Sequence, residues 1–108
     1  MRFQLALAAA LLASSVPVAR AADLTVALAV RDGGFEPAVV QVPASARVRI
    51  EVTNQTPVAI EFESFDLNRE RVVQPGQTAA VYVSGLKPGR YQFFDDFHQQ
   101  RRGTLLVE

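Results

Sequence analysis

The sequence predicts an all-β sandwich of about seven strands, on three observations. Short runs rich in β-branched and aromatic residues recur along the chain. Glycine, proline, asparagine and aspartate clusters separate them, which is the chemistry of tight turns. No stretch sustains an amphipathic period of 3.6 residues over three turns, so nothing reads as a helix packed on a core.

The elements follow in chain order. "MRFQLALAAALLASSVPVARA" has a cationic Arg2, an apolar stretch from Leu5 to Ala13, and the small-x-small pattern Ala19-Arg20-Ala21. This reads as a secretory signal peptide over residues 1–21, with an apolar stretch short for a membrane span. Residues 22–108 then form one small exported domain. "LTVALAV" alternates Leu24, Val26, Leu28 and Val30 with smaller partners, and Asp32-Gly33-Gly34 turns the chain. After Pro43-Ala44-Ser45, "RVRIEVTN" points Val48, Ile50 and Val52 one way and Arg47, Arg49, Glu51 and Thr53 the other. That is the alternation of a half-buried strand. Gln55-Thr56-Pro57 leads into "VAIEFESF". The charged segment Asp66–Arg71 reads as a loop with room for one helical turn. Pro75-Gly76 precedes "QTAAVYVSG", Lys87-Pro88-Gly89 precedes "RYQFFDDF", and "GTLLVE" closes the chain.

Composition narrows the function. Without Arg2 and Arg20 the eleven basic residues fall to nine against eleven acidic ones, a net charge of −2. A nucleic-acid partner would call for a basic excess. With no cysteine, neither a disulfide nor a thiolate metal ligand is available. His98 is the one histidine, three residues after Asp95 and two after Asp96. Glu61 and Glu63 share a strand face by the period of two. Carboxylates with one imidazole offer hard oxygen donors and a nitrogen, a set suited to iron, and less selectively to copper(II) or zinc.

Each residue has a plainer role beside that one. Glu61 and Glu63 fit a solvated strand face, and Asp95-Asp96 fits a turn, where aspartate bonds its own backbone. Phe62, Tyr91, Phe93 and Phe94 read as core. Arg101 and Arg102 read as surface charges, although Arg101 is placed to pair with Asp95.

These residues carry a resemblance. "FEP…VVQVPASARVRIEVTNQT" resembles the first half of the cupredoxins, the small blue-copper sandwich proteins. Those proteins close with an aromatic strand, Cys-x-x-His, a short loop to Met, a Gly and a last strand. Tyr91, Phe93, His98, Gly103 and "TLLVE" sit in that register. The resemblance implies a cupredoxin-like Greek-key β-sandwich over residues 22–108. Asp95 stands at the position of the copper cysteine and Arg101 at that of the axial methionine. The upstream ligand histidine falls near Ile60 or Glu61, so three of the four blue-copper ligands are missing. Glu61-Phe62-Glu63-Ser64 together with Phe94-Asp95-Asp96-Phe97-His98 is similar to the cupredoxin-like domain of the EfeO-type proteins, which accompany iron uptake.

The resemblance implies a periplasmic protein that binds iron or copper and serves a membrane iron permease and a periplasmic iron-binding protein. The expected ligands are His98 and Asp95 first, Glu61 and Asp96 next, Glu63 and Glu70 last. An oxidase version, in which ferrous iron is oxidised at the site, stays open. A second reading is a metal-free docking subunit, with an Asp95–Arg101 salt bridge in place of the ion.

Overall fold

The computed structural model describes residues 23–108, together with residues 2–4, 9–10 and 13. Apart from those few positions, the leader expected over residues 1–21 lies outside the described residues. Among the described residues nine strands form: β1 (Asp23–Arg31), β2 (Gly34–Glu36), β3 (Val39–Val42), β4 (Arg47–Asn54), β5 (Ile60–Ser64), β6 (Arg69–Val73), β7 (Thr78–Ser84), β8 (Gly89–Asp95) and β9 (His98–Val107). They make a four-stranded sheet in the order β2-β1-β4-β7 and a five-stranded sheet in the order β3-β9-β8-β5-β6. Two pairs, β1 with β4 and β3 with β9, run parallel, so the chain crosses between the sheets to form them.

The alternation read from the sequence sets the two layers. Val48, Ile50 and Val52 of β4 and Val81 and Val83 of β7 point inward from the first sheet. Ile60, Phe62, Phe93, Leu105 and Val107 point inward from the second. Phe62 and Phe93 stack with ring centroids 5.3 Å apart, and Phe35 meets Phe93 edge-on at 4.9 Å. Burial of these rings and branched side chains supplies the main favourable term for a domain without disulfides.

The structure exceeds the expected strand count for identifiable reasons. The segment Asp66–Arg71, expected as a loop, is half strand: the turn spans residues 65–68, and Arg69 onward pairs with β5. Its charges reflect its place at the open end of the sheet, where β6 has one neighbour and Arg69, Glu70, Arg71 and Val72 face solvent. Edge strands carry charge because an apolar edge would recruit other chains. Phe94, expected in the core, lies outside it. It packs on the outer surface of the five-stranded sheet against Phe65 and under the guanidinium of Arg102. Its neighbour Phe93 takes the inner side, as strand alternation requires.

Two local devices hold the strand ends in place. Buried Asn54 ends β4: its amide donates to Val58 and Val73 carbonyls at 2.8 and 2.9 Å, and its oxygen accepts from the Thr56 backbone N–H and hydroxyl. This ties the entry of β5 to the end of β6. Gly103 sits opposite Phe93 in the β8–β9 ladder. A Cβ there would overlap the Phe93 ring and lie 3.0 Å from the Ala38 carbonyl oxygen. Gly103→Ala is therefore expected to destabilise the domain by about 1–3 kcal/mol through overpacking, read as a lower urea midpoint at unchanged slope.

Candidate metal centre

β8 ends in a register shift between Phe94 and Asp95, and the chain turns back at once into β9. Asp95 lies opposite Phe62 and therefore on the same, inner side of the sheet. Its side chain is fully buried. Each carboxylate oxygen meets two donors. Oδ1 accepts from the backbone N–H groups of Glu61 and Phe97, both at 3.0 Å. Oδ2 accepts from Arg101 Nη1 at 3.0 Å and lies 2.9 Å from His98 Nδ1. A carboxylate has about four lone-pair sites, and all are used.

Arg101, expected at the surface, is only 6 % exposed. Beyond Asp95 its guanidinium reaches back to the β1–β2 turn, with Nε 3.4 Å from the Asp32 carbonyl and Nη2 3.6 Å from the Asp32 carboxylate. Asp32 carried no sequence signal beyond its turn chemistry. A guanidinium thus points into the place where the resemblance puts the copper cysteine. Metal ligation by Asp95 would require it to give up one of these donors.

A second group of acids forms on the other side of the same sheet. Ile60, Phe62 and Ser64 of β5 are buried, so Glu61 and Glu63 face outward. The β5–β6 register sets Glu63 opposite Glu70. One carboxylate oxygen from each of Glu61, Glu63 and Glu70 lies within 4.8 Å of the other two. Glu63 is flanked by Phe94 on one side and Glu70 on the other. Its Oε2 is buried without a hydrogen-bond partner. Burial and repulsion from the neighbouring Glu70 and Glu61 carboxylates push the Glu63 carboxyl up from 4.5 to about 7. Like charges facing across strands are destabilising, and a cation among the three would remove that repulsion and give Oε2 a partner.

The six expected ligands therefore divide. Glu61, Glu63 and Glu70 converge, while Asp95 and His98 belong to the buried network with Arg101. Asp96 is exposed and accepts from the Gln99 side chain at 3.2 Å. Among the described residues the three glutamates are the only group of three or more such donors. The structure does not bring all six together, because Asp95 and the glutamates leave opposite faces of one sheet. Asp95 stays on the inner side with Phe93 even across the register shift that precedes it.

Two outcomes are expected. Arg101→Met leaves the Asp95 carboxylate buried without its cation, at a cost of about 3–5 kcal/mol, measured by urea unfolding at pH 7. For Glu63, the folded state binds the proton more tightly than the unfolded state. Its contribution to stability is therefore complete below pH 4.5 and is lost as pH rises toward about 7. The difference in urea midpoint between the parent and Glu63→Gln should change across that window and level off above it.

Comparison with known proteins agrees with this architecture. The family model of the cupredoxin-like domain matches residues 4–107. The uncharacterized protein RP394 of Rickettsia prowazekii (strain Madrid E) is 41 % identical over 85 residues, covering 78 % of this chain and 68 % of that protein. The metal binding domain of the Cu(I) exporting P-type ATPase CopA of Streptococcus pneumoniae D39 superposes with a TM-score of 0.72 at 15 % identity, covering 79 % of this chain and 86 % of that one. Auracyanin A, a blue copper protein of Chloroflexus aurantiacus, superposes with a TM-score of 0.68 at 13 % identity, covering 80 % and 99 %. At such identities the two structures speak for the fold alone. With two sheets in this order and a family match across nearly its whole length, the chain belongs to the cupredoxin-like domain family.

Proposed function

We propose that this protein is a periplasmic metal-binding protein that takes up iron, or copper, on carboxylates and serves an iron-uptake permease and its periplasmic iron-binding partner. One observation carries the metal reading: three glutamate carboxylates converge on the outer face of the five-stranded sheet around a buried Glu63 oxygen that has no partner. An all-oxygen donor set suits hard cations. The exposed position of Glu70 leaves the cluster open to solvent, as transfer of an ion to another protein needs. His98 offers only Nε2 for ligation, since Nδ1 is held by Asp95. The likeness to the EfeO-type signatures supports iron and the permease. Copper(II) stays within the reading because carboxylates with an imidazole nearby also take it, less selectively.

The buried Asp95–Arg101 pair favours a second reading. At the end of the sandwich a guanidinium already neutralises the carboxylate, and the fold is complete there without an ion. On this reading the domain is a metal-free docking subunit.

Thermal melts of the mature protein with Fe(II) under anaerobic conditions, and with Cu(II), separate the two. At about 100 times its dissociation constant an ion stabilises by roughly 2.7 kcal/mol, a readily measured shift in melting temperature. The expected shift shrinks in Glu63→Gln and weakens below pH 7, where the ion must displace a proton. Cu(II) brings no intense blue colour, because there is no thiolate to transfer charge. An unchanged melting temperature with either ion sinks the metal reading and leaves docking.

A further inference from the structure

We infer that Asp95 is a positioning residue of the carboxylate cluster, holding the strand that carries Glu61 and Glu63 without itself ligating the ion. The inference rests on the reading of Glu61, Glu63 and Glu70 as the metal site. In an antiparallel ladder the N–H and C=O of one residue point to the same neighbouring strand. The Glu61 carbonyl accepts the Asp96 N–H at 2.9 Å. A regular ladder would return an Asp96 carbonyl to the Glu61 N–H. Here β8 has ended, and the chain turns at Asp96 and Phe97. The Asp95 side chain supplies the acceptor instead, at 3.0 Å.

The same oxygen accepts the Phe97 N–H and so closes the turn into β9. One carboxylate oxygen therefore joins the start of β5 to the turn. Glu61 lies just beyond the last β5–β8 ladder pair, Phe62 with Asp95, so this bond and its carbonyl partner hold it to β8. Arg101 and His98 fix Oδ2, which keeps the carboxylate from rotating away. The arrangement is that of an outer partner holding a ligand in place, a role whose loss costs about 10–100-fold in metal affinity.

Two paired substitutions test this. Arg101→Gln accompanies each, so that no guanidinium is left buried alone. Asp95→Asn keeps an oxygen for the Glu61 and Phe97 N–H groups and removes the charge. Asp95→Ala removes both. Affinity for Fe(II) and for Cu(II), each added alone, is measured with the amide hydrogen exchange of Glu61. The asparagine pair should bind within about threefold of the parent. The alanine pair should bind about tenfold more weakly or worse, with faster Glu61 exchange. Tenfold loss in the asparagine pair would make Asp95 a ligand and overturn the inference, as would parental affinity in the alanine pair. If the alanine pair does not fold, the asparagine pair decides alone by the same limits. If the parent binds neither ion, the metal reading fails by itself, and the exchange still decides: faster Glu61 exchange in the alanine pair sustains the positioning role, and unchanged exchange overturns it.

Discussion

A carboxylate sealed between two β-sheets has to be met by donors on every lone pair, and the end of this sandwich is built around that requirement. Burying an ionised group alone is prohibitive, and even a paired one gains only when its remaining lone pairs are satisfied. Asp95 meets the condition with one guanidinium, one imidazole nitrogen and two backbone N–H groups. Those four donors come from β5, the β8–β9 turn and β9. Through Arg101 the network also reaches the β1–β2 turn of the opposite sheet. The interaction therefore ties both layers together at the end where the chain is least regular.

That choice divides the chemistry of β5 between two faces. Its inner residues complete the aromatic core with Phe93 and Phe35. Its outer residues are two glutamates, joined by Glu70 from the edge strand. Acids so placed repel, and a fold under no demand but stability would space them or set arginines between. Glu63 instead lies against Phe94, which limits solvation and keeps its carboxyl protonated up to about pH 7. The cost is local and falls on an outer strand pair, away from the aromatic core. Acids perturbed by burial and like charge cluster at functional sites and also occur in structural networks.

At this end of the cupredoxin-like sandwich Arg101 and Asp95 form a buried pair. A cation and an anion so placed balance charge in a space that excludes water. Gly103 survives for a separate reason: the Phe93 ring fills the space its side chain would need.

By itself the sequence determined the sandwich, most of its strands, the shared face of Glu61 and Glu63, and the absence of any thiolate. These depend on near neighbours: alternation, turn residues and composition are local properties of the chain. The direction of Asp95 stayed open at that level: Phe93 and Phe94 cannot both face the core, alternation does not say which one does, and the register shifts between Phe94 and Asp95. The tertiary structure alone decided the rest. Glu70 meets Glu63 because a turn over residues 65–68 sets the β5–β6 register, although the charges of residues 66–71 read as loop. Arg101 is buried because Asp32, 69 residues earlier, is folded against it. Contacts between distant segments depend on how sheets stack and register, and no periodicity within one segment encodes them.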